Sequence, residues 1–195
     1  MLVGALVRSA RAVAIPLYLG IAAVSSIIFS PSGMTATDAC SVATASNSTF
    51  TVIWLFWLVS PLPIVRRLVF VPSSHWLRSL PVPMWWIWAV HGGAVIVAEF
   101  PWIVLWGRGL GVTAGLAFGF AAASAHVLLI ARHKTVPHLF VVTATFAAIF
   151  SRAPMPIVLG VSAFGFLLGV RGTVSRAPEL ASDARRCSQR SRPIP

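Results

Sequence analysis

Six apolar runs divide this chain, and its arginines fall almost entirely on alternate sides of them. A helix crosses a bilayer with about 20 apolar residues, in a range of roughly 17–25. The runs are Ala12–Ser30, Phe50–Val65, Met84–Trp106, Leu110–Ala131, Thr135–Ser151 and Met155–Val170. The second extends to residue 70 when Arg66 and Arg67 lay their stems along lipid and lift their charges to the interface. Pro61 and Pro63 kink its inner half. The last two runs reach only about 24–26 Å at 1.5 Å per residue, so they imply a locally thinned bilayer or a shallow hairpin.

The charges orient these runs. With the N-terminus inside, 13 of the 15 basic residues are cytoplasmic, and only Arg108 and Arg152 lie outside. Cytoplasmic loops carry the excess of Lys and Arg. The expected fold is therefore all-α: a polytopic membrane helix bundle of six spans over residues 1–170, with both termini in the cytoplasm. Residues 171–195 form a basic tail whose Pro, Ser and Arg content reads as disordered. Tryptophans cluster near the expected span ends. Trp85, Trp86 and Trp88 mark the inner end of the third run, while Trp54, Trp57, Trp102 and Trp106 mark outer ends. Such clusters read as belts at headgroup level.

Composition excludes the alternatives to lipid. The chain is 57% hydrophobic, only 10% charged, and has a mean hydropathy of +0.87. Soluble domains carry about 25% charged residues. The net charge of +11 is spread over loops and tail without an aromatic-interleaved patch, which argues against nucleic acid as a partner. Membrane lipid is the expected partner, in the plasma membrane of a cell and most specifically the inner membrane of a bacterium. Cys40 falls outside and Cys187 inside, so the two do not pair within one chain.

Glu99 is the one acidic residue within a run. An ionised carboxylate at membrane depth must face protein, pair, or hold its proton. Pro101 cannot donate to the Val97 carbonyl, so a kink and a free acceptor lie one turn from Glu99. Kink and carboxylate together suggest a transport-pathway site. The structural alternative is a Glu99 paired with Arg108 or Arg152. His91 and His126 fall at similar depth near the inner ends of adjacent runs, with His138 slightly shallower. Two facing histidines suit a haem, and three suit a metal ion, but no i, i+3 or i, i+4 pair strengthens that reading. Gly111, Gly115 and Gly119 recur every four residues in the fourth run, and Gly165 and Gly169 do so in the sixth. Small residues at this spacing let helices approach closely. They are helix-packing positions, against this chain or a second subunit in a homo- or hetero-oligomer. No G-x-S-x-G, H-E-x-x-H or P-loop occurs, so the chain carries no expected catalytic residue and no expected resident cofactor.

The segment Arg66–Pro83 is the longest cytoplasmic stretch before the tail. Ser73 or Ser74 caps an expected short helix over His75–Leu80 that Pro81 ends. Trp76, Leu77 and Leu80 form its apolar side, and Arg78 faces water. The run Leu-Arg-Ser-Leu-Pro-Val-Pro over Leu77–Pro83, after a two-span hairpin and before a long apolar span, resembles the permease subunits of ABC-2-type exporters. That resemblance implies a six-span permease whose loop at His75, Trp76, Arg78 and Leu80 couples to a separate ATPase chain. The sequence thus reads as a permease-like exporter subunit that is not itself an enzyme. The alternatives are a haem- or metal-binding redox bundle using His91 and His126, and a non-catalytic scaffold packing through the glycine ridge.

Overall fold

The computed structural model describes residues 15–23, 25–26, 33–69, 83–131 and 136–175. The described residues contain helices and no strand. Helix α1 covers residues 15–23. It is followed by α2 (Ala36–Ala45), α3 (Asn47–Val59), α4 (Leu62–Val69), α5 (Met84–Ala98), α6 (Phe100–Leu110), α7 (Val112–Ile130), α8 (Val136–Phe150) and α9 (Met155–Ser175). Three segments are long and apolar enough to cross a membrane: Asn47–Arg66, Val112–Ile130 and Met155–Gly172. A fourth crossing is counted if α5 and α6, bent by 59° at their junction, are one broken span. Helix α8 is apolar but shorter. The expected coupling helix over His75–Leu80 lies outside the described residues, as does the tail beyond Ser175. The last helix runs five residues past Val170, where the sequence placed the start of the tail.

Helix α7 is the centre of the bundle, with 78% of its apolar window buried inside the protein. A helix apolar all round has no face to give to water. The run Ala114, Gly115, Ala117, Gly119, Ala121 to Ala123 and Ala125 lets neighbours close on several sides, because small side chains admit close backbones. Helix α9 packs most extensively against α7, followed by α6. A side chain at Gly115 would meet the Ile103 carbonyl and the Gly107 backbone at 2.5–2.8 Å, and one at Gly119 would meet Ile103. The glycine ridge therefore serves α6 of the same chain, not a second subunit. Gly165 and Gly169 of α9 likewise make room for Ser124 and for the His138 ring. Gly111 differs from the ridge expected of it. A Cβ there would touch nothing within 4 Å, and its φ of +98° with ψ of 160° is a turn conformation open essentially to glycine alone.

The outer tryptophans correct the belt reading. Trp54, Trp57, Trp102 and Trp106 are 2%, 7%, 2% and 1% exposed and belong to the core. They interlock with Phe50, Phe118 and Phe146 mainly edge to face; Trp54 and Trp102, for example, lie 5.3 Å apart at 79°. Edge-to-face rings gain about 0.5–1.5 kcal/mol beyond area burial. These rings therefore join α3, α6, α7 and α8 into one unit. Trp85 and Trp86 are exposed and stacked on each other.

The polar stretch before α3 is itself structured. Thr35 opens α2 with a capping box: its hydroxyl donates to Asp38 Oδ2 at 2.6 Å, its backbone N–H donates to the same oxygen at 3.1 Å, and the Asp38 N–H returns to the Thr35 hydroxyl. These bonds, the hydroxyl's foremost, hold the exposed Asp38 carboxyl below its usual range. Their contribution is complete above the unfolded carboxyl pKa of about 3.9 and fades as pH falls through the lower folded value. Burial pushes the Cys40 thiol upward, which keeps it protonated beside Gly109 of α6.

Gly115→Ala should lower thermal stability in detergent by about 1–3 kcal/mol, the usual cost of overpacking. Gly160→Ala, with open space around its Cβ, should leave the melt unchanged or slightly higher. Amide exchange in α2 should accelerate in acid, and Asp38→Asn should remove that pH dependence.

Candidate functional site: a buried carboxylate between two broken helices

Two helices break at prolines, and the breaks face each other. Pro61 and Pro63 lack the N–H groups that would continue α3, so α3 ends at Val59 and α4 restarts at Leu62. The final carbonyls of a helix have no partner within it. One of these, Leu58 O, accepts from His126 Nε2 of α7 at 2.9 Å. Pro101, in the first turn of α6, separates α5 from α6, and Glu99 takes up the junction at φ −88° and ψ −1°. The freed Ala98 carbonyl accepts from the Tyr18 hydroxyl of α1 at 2.9 Å. Each break thus exposes a carbonyl, and a polar side chain from another helix caps each one.

Glu99 links the two breaks. Its side chain is fully buried. Oε2 accepts from the Trp57 indole N–H at 2.6 Å, and Oε1 stands 2.6 Å from His126 Nδ1, on a ring that is also fully buried. The Trp57 bond is shorter than the roughly 2.7–2.9 Å of ordinary charge-assisted N–H···O contacts. The indole is held for it by stacking on Trp102, 5.0 Å away at an interplanar angle of 11°. Trp57 is singled out among its neighbours: within the described residues the indole N–H groups of Trp54, Trp102 and Trp106 have no partner.

The protonation pattern follows from these partners. The Leu58 carbonyl only accepts, so His126 Nε2 carries a hydrogen. This tautomer is assigned from the hydrogen-bond partners, as such hydrogens are. Nδ1 and Oε1 make a close ion-pair contact without an aligned hydrogen bond. Two bare lone pairs repel at such a distance, so one proton lies between them. Imidazolium facing carboxylate and neutral imidazole facing carboxylic acid are both neutral overall. Neutrality is what a fully buried site demands, because an unpaired buried charge is far costlier than a paired one.

The remaining sequence candidates lie elsewhere. Arg108 and Arg152 are exposed, and Arg152 reaches the Thr44 carbonyl at 3.5 Å, so neither is the Glu99 partner; His126 is. His91 is buried with Nδ1 on the Ile87 carbonyl of its own helix. Both ring nitrogens of His126 are engaged, which leaves it no lone pair for haem iron or a metal ion in this arrangement. His138 is buried on α8 beside Gly169 and hydrogen-bonds the Ser124 backbone. Among the described residues no group of three or more His, Cys, Asp or Glu could hold a metal ion. Pro101 acts by placing Glu99 at the bend. Sequence reasoning missed Trp57 and Tyr18 as site members. The available signal was the spacing of Trp57 and Leu58 before Pro61, which marks the carbonyls of that turn as unpaired.

Compared with protein-family models, with curated proteins and with solved structures, the chain matches none of them.

His126→Ala should destabilise the protein by about 3–5 kcal/mol, because it strands a buried carboxylate. Adding Glu99→Gln to that variant should recover part of the loss. The coupling from a double-mutant cycle, read by unfolding in mixed micelles, should lie in the range of about 0.5–3 kcal/mol.

Proposed function

We propose that this chain is a multi-pass permease-like transport subunit of a plasma membrane, with six crossings and both termini cytoplasmic, whose pathway runs past Glu99. One observation carries the reading: a fully buried carboxylate at a 59° helix bend, tied to a second broken helix through Trp57 and His126. Ionisable groups inside membrane segments are costly and mark pathways and relays. Irregular backbone at membrane depth is tolerated only where protein or a cavity satisfies it. Transporters place substrate and ion sites where discontinuous helices meet. The redox alternative loses support because His126 is already engaged at both nitrogens, and the scaffold alternative loses its ridge to α6.

The likeness of Leu77–Pro83 to ABC-2 permeases adds a separate ATPase chain as partner. That part of the reading rests on sequence, with His75, Trp76, Arg78 and Leu80 as the coupling side chains and a bacterial inner membrane as the setting.

Single-cysteine labelling tests the topology. Cys187 and a cysteine placed at Ser74 should react only from the cytoplasmic side, and one at Ser151 only from outside. Labelling of Cys187 and residue 74 from opposite sides contradicts the six-span reading. In mild detergent the chain should retain an ATPase, and Arg78→Glu should release it; a complex-free preparation removes the ATPase from the proposal. Proteoliposomes challenged with a panel of labelled solutes should show a flux that Glu99→Gln abolishes. A panel on which wild type matches empty vesicles contradicts transport.

A further inference from the structure

We infer that the Glu99–His126 pair is a proton-binding site whose single shared proton exchanges with water when the two broken helices part. As the coupling ion of the proposed transport, the proton rests on that reading; as an occupant of the pair, it rests on the geometry alone. Three partners fix that geometry. The Leu58 carbonyl holds His126 Nε2–H, Trp57 N–H holds Glu99 Oε2, and the remaining facing atoms, Nδ1 and Oε1, are too close to stand without a proton between them. The groups facing Glu99 are His126 from α7, Trp57 from α3 and Tyr18 from α1, whose hydroxyl is committed to Ala98 O. No lysine or arginine among the described residues makes an ion pair with Glu99, so the proton alone keeps the site neutral.

Release is a simple balance. The shared proton passes to water. It leaves a neutral imidazole with Nε2–H on Leu58 O and an ionised carboxylate holding the Trp57 N–H. The site then carries one net negative charge, which is untenable while it stays dry. Deprotonation therefore requires water or a cationic solute to enter beside Glu99. The chain is built to open there, since both backbones are already interrupted at Ser60–Pro61 and at Glu99–Pro101. A bound proton keeps the breaks closed, and an opened site releases it. This is the exchange a proton-linked transporter needs.

Infrared difference spectra between acid- and alkali-equilibrated protein in nanodiscs test the inference without any substrate. Labelling with 13C-glutamate leaves only Glu99 and Glu179 to contribute, and Glu179→Gln in the tail isolates Glu99 without touching the bundle. A Glu99 carboxyl change coupled to a His126 ring mode is expected, with both lost in Glu99→Gln and the ring mode lost in His126→Gln. Trp57→Phe should keep the pH step and shift the carboxyl frequency, which serves if the other variants fail to fold. A Glu99 signal that stays constant across the whole pH range in which the protein is folded overturns the inference and makes the pair a fixed clamp. The two readings separate cleanly. A fixed pair in a protein that moves solute removes only the proton, and a titrating pair in a protein that moves none removes only the permease.

Discussion

A carboxylate with no access to solvent sets the terms for this bundle. Glu99 is fully buried, and an ionised group in a low-dielectric interior is tolerable only with a partner and with its lone pairs satisfied. Trp57 and His126 meet that demand from two other helices, α3 and α7. The same contacts draw the break in α3 toward the break between α5 and α6. They also orient the central helix, because His126 can reach Glu99 and Leu58 only from one rotation of α7. The pair stands at the seam between two apolar clusters. Trp57 and Trp102 belong to one, and Ala98 and Val127 to the other.

Packing around this polar centre uses two opposite devices. On one side, aromatic rings from four helices interlock edge to face. On the other, glycines and alanines remove side chains so that backbones close. In lipid no hydrophobic force draws helices together, so dispersion and the few internal hydrogen bonds must do it. The aromatic unit is rigid, whereas the proline breaks have already lost backbone bonds. Motion is therefore expected at the breaks, beside Glu99, rather than among the rings.

Much of this was legible in the chain. The apolar runs gave an all-helical, membrane-type fold, although the structure supports three or four crossings by length and composition where the runs suggest six. Glu99 stood out as the lone acid in a run, and Pro101 announced the bend that the structure shows at 59°. Pro61 and Pro63 likewise announced the end of α3. The partner of Glu99 was not legible. His126 was noted for its depth and matched with His91, but which face of α7 meets which helix depends on tertiary packing that periodicity does not carry when a helix is apolar all round. The outer tryptophans misled for a related reason. A tryptophan near a span's end suits a headgroup and an aromatic core equally well. Gly111 fitted a four-residue ridge by spacing, yet serves a turn by its positive φ, a backbone demand invisible in composition.

The most direct test is a solid-state NMR distance measurement in lipid bilayers between 15N-labelled histidine side chains and the 13C-labelled glutamate carboxyl, with Glu179→Gln leaving Glu99 as the sole glutamate. The account predicts a strong dipolar coupling between His126 Nδ1 and the Glu99 carboxyl carbon that His126→Gln abolishes, with Nε2 bearing its own hydrogen. A Glu99 carboxyl that shows no coupling to His126, or that couples instead to an arginine guanidinium, would contradict it.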